Sequence, residues 1–171
     1  MELDFTYEQL NALGLYAAEL IRERTAKGID ADGTPFKPYS TKTFFRPVGG
    51  LTAKQRSALA KLVKENKAEY IMKDGKKLWA LINGYDTWKS VAFPDEYDGG
   101  VVNLRATGKM MSALTVIDVN DAKQEFTLGW VRPELARIAN YNAQRGRTFL
   151  GFTEKEKEKM IDDFVKLIEV K

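Results

Sequence analysis

The spacing of hydrophobic positions changes several times along the chain, and each change marks an element. Over residues 6–27, Leu10, Leu13, Ala17, Leu20 and Ile21 recur at helical spacing, so one face of a long helix is apolar. Thr6 and Gln9 form a capping box ahead of it, and Phe5 is placed to staple onto Leu10. Arg22, Glu23 and Arg24 fall in its last turn, and Gly28 stops it. At 1.5 Å per residue such a helix is roughly 33 Å long, enough to cross a whole sheet. Asp30-Ala-Asp-Gly33, followed by Pro35, Phe36 and Pro38, predicts a turn feeding an extended strip. A second helix is predicted over residues 52–66, with a Thr52/Gln55 capping box and an apolar set at Leu59, Leu62 and Val63. Residues 69–82 centre on Asp74-Gly75, a hairpin signal; Ala80 and Leu81 would also suit a short helix, and the hairpin is favoured.

From 83 to 100 the period is lost, and Tyr85, Trp88, Phe93 and Tyr97 read as an aromatic loop that its own body or a neighbour must hold down. A strand is predicted at 101–105, then a turn or short helix from Thr107-Gly108 over Met110, Met111 and Leu114. Residues 114–119 and 124–130 alternate as a strand pair around Asn120-Asp121. Pro133 opens a helix to residue 142, with Leu135, Ile138, Ala139 and Tyr141 turned inward. The final helix, 154–170, is apolar at Met160, Ile161, Phe164, Val165 and Ile168. Ahead of it, residues 145–153 read as a junction. Gly146 and Gly151 permit tight backbone, Phe149, Leu150 and Phe152 form a buried anchor, and Thr153 caps the helix with Glu156. The expected fold class is α+β: a small antiparallel β-sheet packed by a long N-terminal helix and a C-terminal helix.

At 171 residues the chain suits a single domain with a real core and an elaborated central segment at about 49–103. It contains no cysteine and no histidine. That removes disulfides, thiolate zinc sites, cysteine nucleophiles and the usual general base, so no catalytic residue, metal or cofactor is expected. The Asp30-x-Asp-Gly33 run would need a bidentate Glu at the twelfth position of a calcium loop, and that position is Thr41. A tight turn is the expected reading. No apolar run approaches the roughly 20 residues of a membrane span, so no membrane partner is expected. The start, Met1-Glu-Leu-Asp-Phe5, is acidic where a signal peptide is basic, which places the expected site of synthesis and folding in a cytoplasm.

The net charge of +3 is mild, but its distribution is uneven. Lys37, Lys42, Arg46, Lys54, Arg56, Lys61, Lys64 and Lys67 face only Glu65 in their stretch, whereas Asp95, Glu96 and Asp98 cluster near Asp86. Solvated faces would look the same, yet such polarity also suits a repeating ring in which Lys61 and Lys64 of one copy meet Asp95 and Glu96 of the next. Lys73 to Lys77 could meet phosphate, but a charged hairpin tip explains them. Met110 and Met111 read as core. The acids around the 85–97 aromatics would repel a nucleic-acid backbone, so that segment reads as packing or protein interface. For Arg145 and Arg147 two readings stay open: contact with phosphates in a DNA channel, or capping a helix end and pairing with carboxylates of the last helix.

Three segments, in order, resemble one family. Arg24-Thr-Ala-Lys-Gly-Ile-Asp-Ala-Asp-Gly-Thr-Pro-Phe-Lys-Pro-Tyr-Ser40 resembles Arg-x-x-x-Gly-x-Asp-x-x-Gly-x-Pro-Phe-x-Pro-Leu/Tyr-Ser. Leu104-Arg-Ala-Thr-Gly-Lys-Met-Met-Ser-Ala-Leu114 resembles Leu-x-x-Thr-Gly-x-Met/Leu-x-x-Ser-Leu/Ile. Arg147-Thr-Phe-Leu-Gly-Phe-Thr153 resembles Arg-x-Phe-Leu-Gly-Leu/Phe-Ser/Thr ahead of a Glu-rich terminal helix. The patterns that these segments resemble are those of the phage virion-morphogenesis and tail-completion (neck) family. The chain departs from the pattern in its long stretch at 53–98, and in Leu135-Ala-Arg-Ile-Ala-Asn-Tyr-Asn142, which lacks the family's histidine. The resemblance implies a structural virion protein of the neck or tail end, with no catalysis. It implies a homo-oligomeric ring, a hexamer, between tail-tube, terminator or connector proteins, present in the virion and in the host cytoplasm during assembly. Non-specific contact with channel DNA is part of that expectation. The alternative is a DNA-binding module using the basic 37–67 segment.

Overall fold

Why the elements fall where they do is visible in a computed structural model that describes residues 5–169, with side chains to residue 166. The acidic start at residues 1–4 and the side chain of Ile168 lie outside the described residues. The order is α1 (Tyr7–Ala26), β1 (Phe44–Pro47), α2 (Ala53–Lys64), β2 (Ala68–Lys73), β3 (Lys76–Leu81), α3 (Gly84–Ala92), α4 (Lys109–Ser112), β4 (Thr115–Asn120), β5 (Glu125–Gly129), α5 (Pro133–Gln144) and α6 (Glu154–Glu169). The fold is mixed α+β with a long N-terminal helix, and its strands form a three-stranded sheet, β1-β3-β2, and a β4-β5 pair, all antiparallel. These elements gather into two compact units, Met1–Lys37 with Val102–Lys171, and Pro38–Val101. The central segment expected at 49–103 falls in the second unit except for its last two residues.

In the first unit α1 lies on the β4-β5 pair, and α6 lies against α1. Thr6 and Gln9 make the expected reciprocal cap at the start of α1. A glycine in mid-helix costs about 1 kcal/mol of helix propensity. Here it permits the packing: a Cβ on Gly14 would stand 2.5 Å from Val116 Cγ2 and 3.0 Å from Phe126 Cδ2. Phe5 meets Phe164 edge-on, centroids 5.0 Å apart, and Tyr16 Oη donates to Asp163 Oδ2 at 2.7 Å, so two more contacts tie α6 to the start and middle of α1. Met110 and Met111 are buried, in line with their core reading. The strand expected at 101–105 does not form, because Leu104 takes a left-handed backbone, φ 51°, that breaks an extended run.

The second unit is built from near neighbours in sequence. Asp74 and Gly75, both at positive φ, turn β2 into β3, as the hairpin reading expects. Leu51, Leu59, Leu81 and Trp88 form the core, with Phe44, Leu62, Trp79 and Tyr85 packed around it. The aromatic loop expected over 83–100 is corrected: residues 84–92 are helical, followed by a 3-10 turn at Pro94–Glu96. Its sequence hides this, since Asn83 makes no side-chain cap and Gly84 opens the helix at φ +73°. Tyr85, Trp88 and Val91 nonetheless recur at i, i+3, i+6, and all three pack on or within the core. Tertiary burial overrides weak local propensity there. Gly84 is obligatory in a second way, for a Cβ would overlap the carbonyl oxygen of Ser40.

Candidate functional site

The last two turns of α1 end in two arginines that reach back across the first unit. Arg24, 7% exposed, donates from Nη2 to the carbonyls of Phe149 (2.6 Å) and Gly151 (3.0 Å), and from Nη1 to the carboxylate of Glu156. Glu156 has a second task. Its Oε2 accepts from the Thr153 N–H at 2.8 Å while its own N–H donates to Thr153 Oγ1 at 3.2 Å, the capping box expected for the last helix. One carboxylate therefore starts α6 and neutralises the buried guanidinium. Arg22 donates from Nε to the Met111 carbonyl at 3.1 Å and from Nη2 to that of Leu114.

The turn after α1 closes on the same place. Asp30 Oδ1 accepts from the N–H groups of Asp32 (3.0 Å) and Thr34 (2.9 Å), and Oδ2 accepts from the Thr34 hydroxyl (2.9 Å). Partial burial pushes the Asp30 carboxyl up, but the Thr34 and Asp32 hydrogen bonds and the Arg24 charge outweigh it and hold it below its ordinary value. The Asp-x-Asp-Gly run is thus a self-bonded turn. From it the Ala31 N–H donates to the Thr148 carbonyl at 2.8 Å. Gly151, at φ +129°, passes so close that a Cβ would lie 3.2 Å from Ala31 Cβ. Phe149 is 1% exposed and meets the Trp130 ring edge-on, while Trp130 Nε1 donates to the Met110 carbonyl at 2.7 Å. Segments beginning at residues 24, 104 and 147 thereby converge on the C-terminal end of α1.

Of the expected anchor residues, Phe149 is buried and Phe152 half-buried. Leu150 is corrected: it is 41% exposed. Neighbouring side chains diverge in non-helical backbone, and the chain bends at residues 150 and 151, so Leu150 turns away from the core that Phe149 enters. Ile138 and Tyr141 are also corrected, since both point outward from α5, which buries only Leu135 and Ala139. Arg145 is exposed, its guanidinium 4.3 Å from the Tyr141 ring centroid, and Arg147 is half-buried. In the second unit Lys61 and Lys64 are exposed on α2, and Asp95 and Glu96 sit in the 3-10 turn after α3. Three other cations of the basic segment are engaged within that unit: Arg46 over Trp88 at 5.1 Å, Arg56 on the Leu51 carbonyl, Lys67 with Glu65. Asp86 accepts from the Tyr97 hydroxyl at 2.9 Å; burial first, and that carboxylate second, push the Tyr97 phenol up.

Arg24 is the residue that pattern reading undervalues. A cation in the last turn of a helix satisfies the helix dipole, which conceals its burial. Its signal is its place at the head of the first motif. Among the described residues no group of three or more Asp or Glu is arranged to hold a metal ion. The arrangement fixes backbone segments to one another, leaving apolar and charged side chains of α5 and α6 outside. Comparison with known protein families, with curated proteins and with solved structures finds no match to this chain.

Proposed function

We propose that this chain is a structural, non-catalytic protein of the neck or tail end of a tailed-phage virion, completing the tail or joining it to the head as a subunit of a ring. The observation that carries this reading is the convergence just described: the first and third of the segments that resemble the virion-morphogenesis family are hydrogen-bonded to each other through Arg24 and Ala31, and the second is tied to the same place through Arg22 and Trp130. Residues kept together in a pattern for architectural reasons should meet in space, and these do. In this reading six copies close around the channel, with tail-tube, terminator or connector proteins above and below. The basic face of α2, with Lys61 and Lys64, meets the acidic turn of Asp95 and Glu96 on a neighbour. Assembly takes place in the host cytoplasm, and the mature site is the virion.

The test is genetic and visual. Particles made without this chain should be arrested at the neck or tail end, and supplying it in trans should restore them. Complete, infectious particles formed in its absence would overturn the reading. A second reading rests on α2, which carries Lys54, Arg56, Lys61 and Lys64 and no carboxylate. If that helix tracks a DNA backbone, affinity for mixed-sequence DNA should fall with a log–log salt slope of about −3 for roughly three phosphates engaged.

A further inference from the structure

The outer faces of α5 and α6 carry the same spacing with opposite chemistry. On α5 and its cap, Ile138, Tyr141 and Arg145 stand at i, i+3 and i+7, all exposed. On α6, Glu158, Ile161 and Val165 repeat that i, i+3, i+7 spacing; Ile161 is 63% exposed and Val165 half-exposed. Positions so spaced lie on one stripe of a helix. One stripe therefore reads apolar, apolar, cation, and the other anion, apolar, apolar. Glu158 takes no ion pair among the described residues.

We propose that these two stripes dock on each other between copies of this chain, α5 of one against α6 of the next, running antiparallel. That direction sets Arg145 against Glu158, Tyr141 against Ile161 and Ile138 against Val165. A parallel alignment would set a lone charge against an apolar side chain at each end and is disfavoured. Each copy carries both stripes; offered to two different neighbours they make a head-to-tail contact, which generates rings or open chains, whereas a twofold pair would use both on one partner and link no further than the dimer. One helix pair buries well under the roughly 1,600 Å² of a stable two-body interface. A single contact is accordingly weak, and a closed ring, in which every copy uses both stripes, is what makes it persist. This deepens the ring reading and rests on it, adding a contact to the charge pair of the second unit.

The absence of cysteine makes the test clean. The Tyr141→Cys/Ile161→Cys chain, oxidised gently, is expected to give a ladder of linked copies beyond the dimer, while either single variant gives none. Adding Arg145→Glu or Glu158→Arg alone should slow linking about three- to tenfold, and both together should restore it. The Ile138→Cys/Val165→Cys chain repeats the measurement should the first pair fail to fold. Dimers from Tyr141→Cys alone would mean α5 on α5 and overturn the head-to-tail contact. No ladder from either folded pair overturns it as well. If light scattering then finds the wild-type chain oligomeric, the helices are the wrong surfaces and the ring reading stands. If the wild type stays monomeric at every concentration, self-assembly in solution is lost with the contact.

Discussion

The clasp of the first unit and the core of the second solve the same problem by opposite routes. The second unit joins Leu51, Leu59, Leu81 and Trp88, all within a short stretch of chain, through a tight hairpin and two short helices. The first unit brings Arg24 and Ala31 to Thr148, Phe149, Gly151 and Glu156, more than a hundred residues away. Short loops close cheaply, whereas long-range closure must be held by contacts strong and specific enough to offset the ordering of distant segments. The first unit accordingly uses a buried charge, several carbonyl acceptors and an aromatic plug. The second buries one cation as well, Lys89, whose ammonium donates to the Tyr39 hydroxyl at 3.2 Å, but it otherwise relies on apolar side chains and one glycine that lets backbone pass backbone. Damage should therefore spread differently from the two places.

The largest effect is expected at the plug. Phe149→Ala should cost about 3–5 kcal/mol, as for other buried aromatics, because Trp130 and the Arg24-bonded backbone lose their shared surface. Urea midpoints give the size, and amide exchange gives the place: α1 and α6 should lose protection. Equal loss in β2 and β3 would erase the contrast between the regions. Arg24→Met comes next, at about 3–5 kcal/mol, since it strands a largely buried Glu156 and two carbonyls. Here the contrast can be sharpened. Glu156→Gln keeps a capping box but removes the stranded charge, so the double variant should recover more than half of the loss. No recovery would mean that the carbonyls, not the ion pair, are what Arg24 serves.

Gly84→Ala probes the other route. The new Cβ meets the Ser40 carbonyl at a residue already held at φ +73°, so about 2–4 kcal/mol should be lost, this time with β1, β2 and β3 deprotected. A variant as stable as the wild type would mean that the approach of residues 40–42 relaxes without cost.

Legibility followed the same division. The capping boxes of α1, α2 and α6, the Asp74-Gly75 hairpin and the β4-β5 pair were readable because each is a local code with its own physical cause. The helix over Gly84–Ala92 was not, because its stability comes from burying Trp88 and Tyr85, and an uncapped start beside glycine argues against it locally. The strand expected at 101–105 failed on the left-handed Leu104, a conformation that no leucine advertises. At the site, Phe149 was readable as an anchor, but the outward turn of Leu150 depends on backbone direction. The partners of Arg24 depend on which segments meet, and no local pattern encodes that. Ile138 and Tyr141 show a subtler limit: helical spacing tells that residues share a stripe, not whether the stripe faces the core.

The smallest effect belongs to the Asp30 turn, and it distinguishes charge from shape within the clasp. The folded carboxyl is held below its ordinary value of 3.8, so it favours the folded state at any pH above that value. As pH falls the unfolded chain protonates first, and the contribution is gone once the pH drops through the lowered folded value. Asp30→Asn keeps an acceptor for the Asp32 and Thr34 N–H groups but carries no charge for Arg24 to attract. The difference in urea midpoint between the wild type and this variant should thus be constant from pH 7 to pH 5, shrink below pH 4 and vanish in stronger acid. The exposed setting of the turn keeps the difference small throughout. A gap that persisted unchanged to pH 2 would show that the acceptor geometry alone orders this turn, leaving Glu156 as the carboxylate that answers Arg24.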